Sequence, residues 1–436
     1  MKTITLMCAI AIKALVACAV LVPQMVIAQP ATTVIPTLAY TTSAQGNGMG
    51  GIAATLPSSD ALGSIANPGQ LGYFSLDHIF SASTYSPKTD GLPSPAFTPF
   101  SKPTLTVSAL NVGINLKDIL SLPFSAGIGI GYSRTFSDLG TFSLNGLNSP
   151  QMIVSIGNEE YVNYSVGLGL EYVVRLGVGM NFKEITSRWI TLENGSGPGF
   201  SYVTRTPSAT DFGILLEIPI EEIVSKASGA PPVKVSGIEP FVNVSMGYVK
   251  SNVGDEITYP DRGSAYPLPR TAVVGLGLQG GLSTRAGNAN WRLISFSLVH
   301  QAEDVLVHGL TDTTFEYKAG LGDLRFGDNV LVGRATGAVL VRKGWELGAA
   351  EFLYIRGGSV IGNRYDYSTS GYSVCLGGLV RLLEAASPEI AGTSWLAFIG
   401  DHLDLQYQSA SYSSSVSPLN GTTFKELNLI VRGFPW

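Results

Sequence analysis

The chain has 436 residues, 45% hydrophobic and only 14% charged, with 27 Lys+Arg against 32 Asp+Glu for a formal net charge of −5. Soluble domains carry about 25% charged residues, of which this chain falls well short, and a nucleic-acid binder needs a basic excess that it lacks. The 51 glycines follow no three-residue period, and the apolar content is too high for a disordered chain.

The first element is a leader. Met1-Lys2 opens it, an apolar stretch around Ala14–Val22 follows, and Val26-Ile27-Ala28 supplies a small-residue exit before Gln29. These are the parts of a secretory signal peptide over residues 1–28. Lys13 and Pro23 interrupt the run, leaving it short of the ~20 apolar residues a spanning helix needs. Leu15-Val16-Ala17-Cys18 offers an alternative, a lipoprotein-type cleavage box, against which the apolar residues beyond Cys18 argue. Removing the leader takes Cys8 and Cys18 and leaves Cys375, so no intramolecular disulfide staples the exported chain.

Beyond residue 77 the sequence alternates with period two. Val162, Tyr164, Val166, Leu168, Leu170 and Tyr172 share one parity, and Asn163, Ser165, Gly167, Gly169 and Glu171 the other. The pattern recurs over Phe124–Tyr132, Leu176–Phe182, Val242–Tyr248, Val274–Leu278 and Ile294–Leu298. Period two specifies strands with two unlike faces. A soluble sandwich would put Lys, Glu and Arg on its wet face. Here that face is Gly, Ser and Asn, which suit a crowded lumen, and the other carries the aromatics and aliphatics of a lipid-facing wall. No run of 18 apolar residues follows Gln29, so a closed barrel is the spanning structure that satisfies its own backbone.

Strands are expected near 78–86, 103–116, 124–136, 159–173, 174–188, 209–219, 239–252, 270–284, 291–306, 313–319, 337–347, 349–360, 370–383, 394–410 and 422–434. Single-chain bacterial barrels favour even numbers, so about 14 strands are expected and one of these segments is not part of the wall. Pro- and Gly-rich breaks at Ser86–Pro103, Asn194–Pro198, Ala227–Pro232 and Tyr259–Pro269 read as turns or loops. Near the C-terminus, Leu427, Leu429 and Val431 alternate imperfectly ahead of a Gly433-Phe434-Pro435-Trp436 ending, where Pro435 removes a ladder donor.

Catalytic and metal-binding signals are weak. Gly275–Gly280 matches G-x-G-x-x-G but lies within an alternating strand instead of leading into a helix. The histidines His78, His300, His308 and His402 are scattered, and His402 between Asp401 and Asp404 reads as a rim cluster, not a metal corner. No Ser–His spacing nominates a hydrolase. Glu159-Glu160 and Glu221-Glu222 read as solvated strand or loop ends. Arg175, Lys183, Arg292 and Arg325 are expected in the lumen or at the rim, since a charge facing mid-membrane lipid costs about 2–4 kcal/mol. In the lumen they could bind a substrate carboxylate or pair with acids of the plug such as Asp60, and pairing is the role expected of them.

Gly46–Gly72 breaks the alternation, reading Gly-Asn-Gly-Met-Gly-Gly and then Asp60-Ala61, Asn67-Pro68-Gly69 and Leu71-Gly72. This segment resembles the N-terminal hatch of the FadL-like fatty-acid-transporter superfamily, which includes the PorV-like barrels of the type IX secretion system. Gly69 stands where that pattern has alanine, and Ala66 where it often has an aromatic. The resemblance covers under a tenth of the chain and leans toward the PorV-like branch. It implies a fourteen-stranded barrel with hatch or gating residues at Gly48, Gly50, Gly51, Asp60, Asn67 and Pro68. Physically, glycine permits tight packing in a lumen, and Pro68 pushes Asn67 out of the helical region.

The expected architecture is all-β: a transmembrane antiparallel β-barrel in the bacterial outer membrane, with a signal peptide at 1–28, a leader and hatch at 29–76 and the barrel at 77–436. Neither an enzyme nor a cofactor or metal is expected, and no nucleic-acid partner. The PorV-like resemblance implies secretion machinery or secreted cargo as partners besides outer-membrane lipid. The FadL-like resemblance implies a hydrophobic ligand, such as a fatty acid, passing a shifting hatch; Phe97–Phe100 with Tyr85 is a short candidate for its loop-side site.

Overall fold

A computed structural model describes residues 35–85, 89–90, 104–117, 119–145, 152–192, 200–229, 234, 237–258, 265–286, 289–309, 314–362, 366–387, 394–415 and 420–432. The leader, Phe97–Phe100 and the Gly433–Trp436 ending lie outside them.

Fourteen strands form the wall: β1 (His78–Tyr85), β2 (Thr104–Asn115), β3 (Ser125–Asn145), β4 (Met152–Glu171), β5 (Arg175–Leu192), β6 (Phe200–Pro219), β7 (Ile238–Gly254), β8 (Thr271–Ala286), β9 (Ala289–Val305), β10 (Val339–Ala349), β11 (Leu353–Ile361), β12 (Tyr367–Cys375), β13 (Leu403–Ser413) and β14 (Thr423–Arg432). Each pairs antiparallel with its chain neighbours, and β1 closes the sheet by pairing with β14, Ala82 opposite Leu429. An even strand count makes that closing pair antiparallel and leaves no full-length edge. Thr89–Asp90 adds a two-residue pairing to β2.

The expected segment at 313–319 is not in the wall. Phe315–Tyr317 pairs with Val307–Gly309 as a separate hairpin, and removing it gives the even number. Two other expected strands are partly helical: Leu376–Ala386 and Ser394–His402 are the helices α5 and α6, before β13. A third helix, α4 (Ile220–Ser228), joins β6 to β7. All three lie at the end of the barrel where 172–174 and 350–352 form tight turns, here the turn end. The opposite, loop end carries the 306–338 connection.

The outward face is apolar and open. Val112, Ile130, Tyr164, Leu168, Phe296, Leu298, Leu347 and Leu429 are all exposed, the inverse of a water-soluble surface and the requirement of a lipid-facing band. No helix among the described residues is long and apolar enough to cross a membrane. On the β3–β4 wall the band ends at the outward ion pair Arg134–Glu160, 2.6 Å. β3, β4, β5 and β6 have 21, 20, 18 and 20 residues, whereas crossing needs about 9–11. These four strands therefore continue past the lipid at the loop end.

The described part of the 306–338 connection, 306–309 and 314–338, lies against the outside of β8–β10. Leu324 and Val330 pack with Ala302, Val339 and Val341, which have outward parity yet are fully buried. His300 and Lys343, also outward, sit beneath it: His300 Nδ1 is 3.0 Å from the Val330 carbonyl oxygen, and Gly333 lies over the Lys343 ammonium. Arg325 is on this connection and exposed.

Candidate functional site: the occupied lumen

Residues 35–77 thread the lumen from the loop end to the turn end and then enter β1. They form a 3-10 turn (Pro36–Ala39) and three short helices, α1 (Ala44–Gly48), α2 (Gly63–Ala66) and α3 (Gly69–Phe74). The wall's glycines explain how they fit. A Cβ at Gly169 would lie 2.1 Å from the Gly72 carbonyl oxygen, one at Gly179 2.2 Å from that of Pro68, and one at Gly247 2.1 Å from that of Ala54. Glycine is thus the lumen-facing residue wherever backbone meets backbone. Gly275 and Gly277 of the G-x-G-x-x-G match belong to this set, in β8 against Thr55 and Leu56.

Near the loop end an apolar cluster lies among buried polar groups. Ile35 and Leu38 are buried among Leu105, Val107, Tyr161, Ile185, Ala209 and Leu268, in a cluster that continues to Tyr85, Tyr412 and Phe424. Tyr85 is thus an inward wall residue. Thr37 is held by Glu159, its amide donating at 3.1 Å and its hydroxyl at 2.5 Å. Glu159 is buried, contrary to the solvated strand end expected; β4 runs on to Met152, so Glu159 sits mid-strand with inward parity. Glu160 faces out to Arg134. Glu221 accepts from the Val242 amide at 2.9 Å, and Glu222 pairs with Lys226.

Gly48, Gly50 and Gly51 meet β10–β12. Thr369 Oγ1 donates to the Gly48 carbonyl at 3.0 Å and accepts from the Gly50 amide at 2.8 Å. Arg342 donates to the Gly50 carbonyl at 3.1 Å and pairs with Glu303 at 3.0 Å. Gly50 and Gly51 have φ of 80° and 78°, a left-handed conformation open to glycine at little cost.

Asp60 meets β1. It accepts from Ser43 at 2.7 Å, Ser83 at 2.8 Å and the Leu62 amide at 2.8 Å. Lys183 lies elsewhere on the wall, on β5, and pairs with Asp211 of β6 at 2.8 Å, a wall acid and not one of the plug. Arg175 is at the turn end, 2.7 Å from Asp77 and 3.0 Å from Glu171. Arg292 lies over the Phe241 ring and donates to Gln279.

Asn67 is extended, φ −144°, as a residue before proline should be. Its side chain donates to Ala54 O at 2.7 Å and Ile214 O at 3.1 Å, and accepts from the Gly69 amide at 2.9 Å. Pro68 leads into α3 and packs against Gly179 and Gly213. Tyr73, on α3, donates to Glu217 and accepts from Arg175 at 3.3 Å.

Further anchors carry no motif: Gln301 to the Ala54 amide, Asn181 to Ser64 O, Tyr412 to Asn47 at 2.5 Å and Glu426 to the Ala44 amide at 2.8 Å. Their common signal is inward parity, readable from the alternation around them. A cavity of about 80 Å³ lies between Leu38–Thr42 and the wall at Tyr161, Lys183 and Arg342. Among the described residues no group of three or more His, Cys, Asp or Glu is placed to hold a metal. His402 packs its ring against Phe398 on α6.

No protein-family model matches the chain, and no curated protein matches it. Solved structures similar to it include the toluene transporter TodX of Pseudomonas putida (9% identity, 90% of this chain and 97% of that one, TM-score 0.37). A Pseudomonas aeruginosa FadL homologue (9%, 92% and 99%, 0.34) is another, as is the translocator domain of the autotransporter NalP from Neisseria meningitidis (10%, 82% and 89%, 0.34). At these identities and scores the likeness carries no functional argument, and the fold rests on the chain's own strand pairing.

Proposed function

We propose that this is a sealed barrel of the bacterial outer membrane, working at its loop-end rim as a component or partner of protein secretion or surface attachment. The observation that carries this reading is the lumen filled by residues 35–77 and hydrogen-bonded to strands around the wall. The cavity beside Leu38–Thr42, about 80 Å³, is far below the roughly 300–1,000 Å³ of small-molecule sites. The projecting β3–β6 wall supplies the surface outside the lipid on which exported protein is held. In this reading Gly48, Gly50, Gly51, Asp60, Asn67 and Pro68 keep the seal and recognise no ligand.

A second reading rests on a different observation. Ile35 and Leu38 occupy an apolar, aromatic-lined chamber; withdrawing the Pro36–Ala39 turn would open it to a hydrophobic small molecule. Such withdrawal needs a ligand that binds the open state better than the closed. Deleting the gene separates the two readings. Loss of surface-attached protein with normal uptake of a lipophilic probe supports the rim reading; loss of saturable uptake with normal surface protein overturns it in favour of transport.

A further inference from the structure

We infer that α5 and α6 form a membrane-surface foot, seated in the headgroup–acyl boundary of the leaflet at the turn end. The inference rests on the membrane reading above. α5 has inverted amphipathicity. Arg381 is buried against the protein, 2.9 Å from Glu351 and 3.8 Å from Asp401, while Leu376, Leu382 and Leu383 are 42%, 39% and 45% exposed. At 100° per residue those leucines and Leu379 fall on one stripe of the helix. Gly378 fixes which side faces the barrel, since a Cβ there would lie 2.2 Å from the Glu351 carbonyl oxygen.

α6 repeats the arrangement, with Trp395 61% and Phe398 47% exposed, one turn apart. A helix on a water-soluble surface turns its charges outward; these two turn large apolar residues outward, and α5 buries its arginine while Asp401 of α6 stays partly exposed. What covers them is indicated by continuity. Leu376 directly extends the lipid-facing series Tyr372 and Val374 of β12, and α6 leads into β13, whose Leu405 faces lipid. The foot therefore begins where the hydrocarbon band ends, at the depth favoured by tryptophan and by interfacial apolar helices.

The experiment uses the purified full chain in phosphatidylethanolamine–phosphatidylglycerol vesicles with and without brominated acyl chains. Tryptophan emission is assigned by difference using Trp395→Phe and, as an internal control on the lipid-facing wall, Trp345→Phe. We expect the Trp395 contribution to fall about twofold with brominated lipid, comparably to Trp345, and to resist aqueous acrylamide. The double variant Leu382→Glu/Leu383→Glu should lose the Trp395 quenching and keep that of Trp345. If Trp345 is quenched while Trp395 is open to acrylamide and blind to bromine, the foot is in water and the inference is overturned. A Trp395 shielded from both quenchers means that a second copy covers the helices, which also overturns it. If neither tryptophan meets bromine, the membrane reading falls with it.

Discussion

Lys183 and Asp211 show why individual lumen residues resist substitution. Both are buried, and each is the other's ion-pair partner. Removing one partner strands a buried charge, at about 3–5 kcal/mol, whereas replacing both with apolar residues of similar volume is often neutral. Lys183→Met should therefore lower the unfolding free energy by about that amount, and Lys183→Met/Asp211→Leu should recover most of it in urea titrations in detergent. Asn67 is a different case, because one amide ties three backbone groups together. Asn67→Ala leaves the buried Ala54 carbonyl and Gly69 amide short of a partner, at about 1–3 kcal/mol each. Its test is hydrogen exchange: residues 53–70 should exchange faster while the strands stay protected. Gly169→Val should push Gly72 off the wall and raise ion leakage severalfold in planar bilayers, an effect that Leu168→Val on the lipid side should not produce.

At the scale of elements, the sequence was most legible where the two faces of a strand meet unlike surroundings. From Val162 to Phe182 one parity meets lipid and the other meets a backbone plug, so alternation marks those strands. The same strands run on to Leu192 and back to Met152 beyond the band, where the lipid-facing requirement ends; the expected bounds of 159–173 and 174–188 stop near that change. Residues 376–383, expected as the end of a strand, are helical for another reason. A short apolar run is ambiguous between strand and helix, and this helix keeps its leucines outward, mimicking a lipid-facing strand. Phe315–Tyr317 imitates a strand by alternation and is one, but in a hairpin outside the wall. The candidate site was legible as a glycine-rich interruption at Gly46–Gly72, while Thr37, Leu38 and their partners Glu159 and Tyr161 carry no motif. The 306–338 connection also makes a prediction. Replacing 318–336 with a short Gly-Ser linker exposes His300 and Lys343 to the interface, at up to about 2–4 kcal/mol for the lysine. The replacement should lower the temperature at which the folded band is lost on unheated gels, and His300→Leu/Lys343→Met should restore it.

For the whole molecule, shape and chemistry support one another. Fourteen strands enclose a lumen wide enough to need filling; the chain fills it with its own residues 35–77 and keeps wall glycines where the filling presses closest. The apolar outer band, the projecting β3–β6 wall and the turn-end helices then give the barrel three different surroundings. Sealing is the property on which the proposed function turns, and the most direct test is planar-bilayer conductance of the full chain beside a variant lacking residues 44–74, both first shown to be heat-modifiable on gels. The intact barrel should stay electrically silent and the shortened one should open a steady conductance. Equal, steady conductance from both would contradict the seal and return the lumen to the role of a pore.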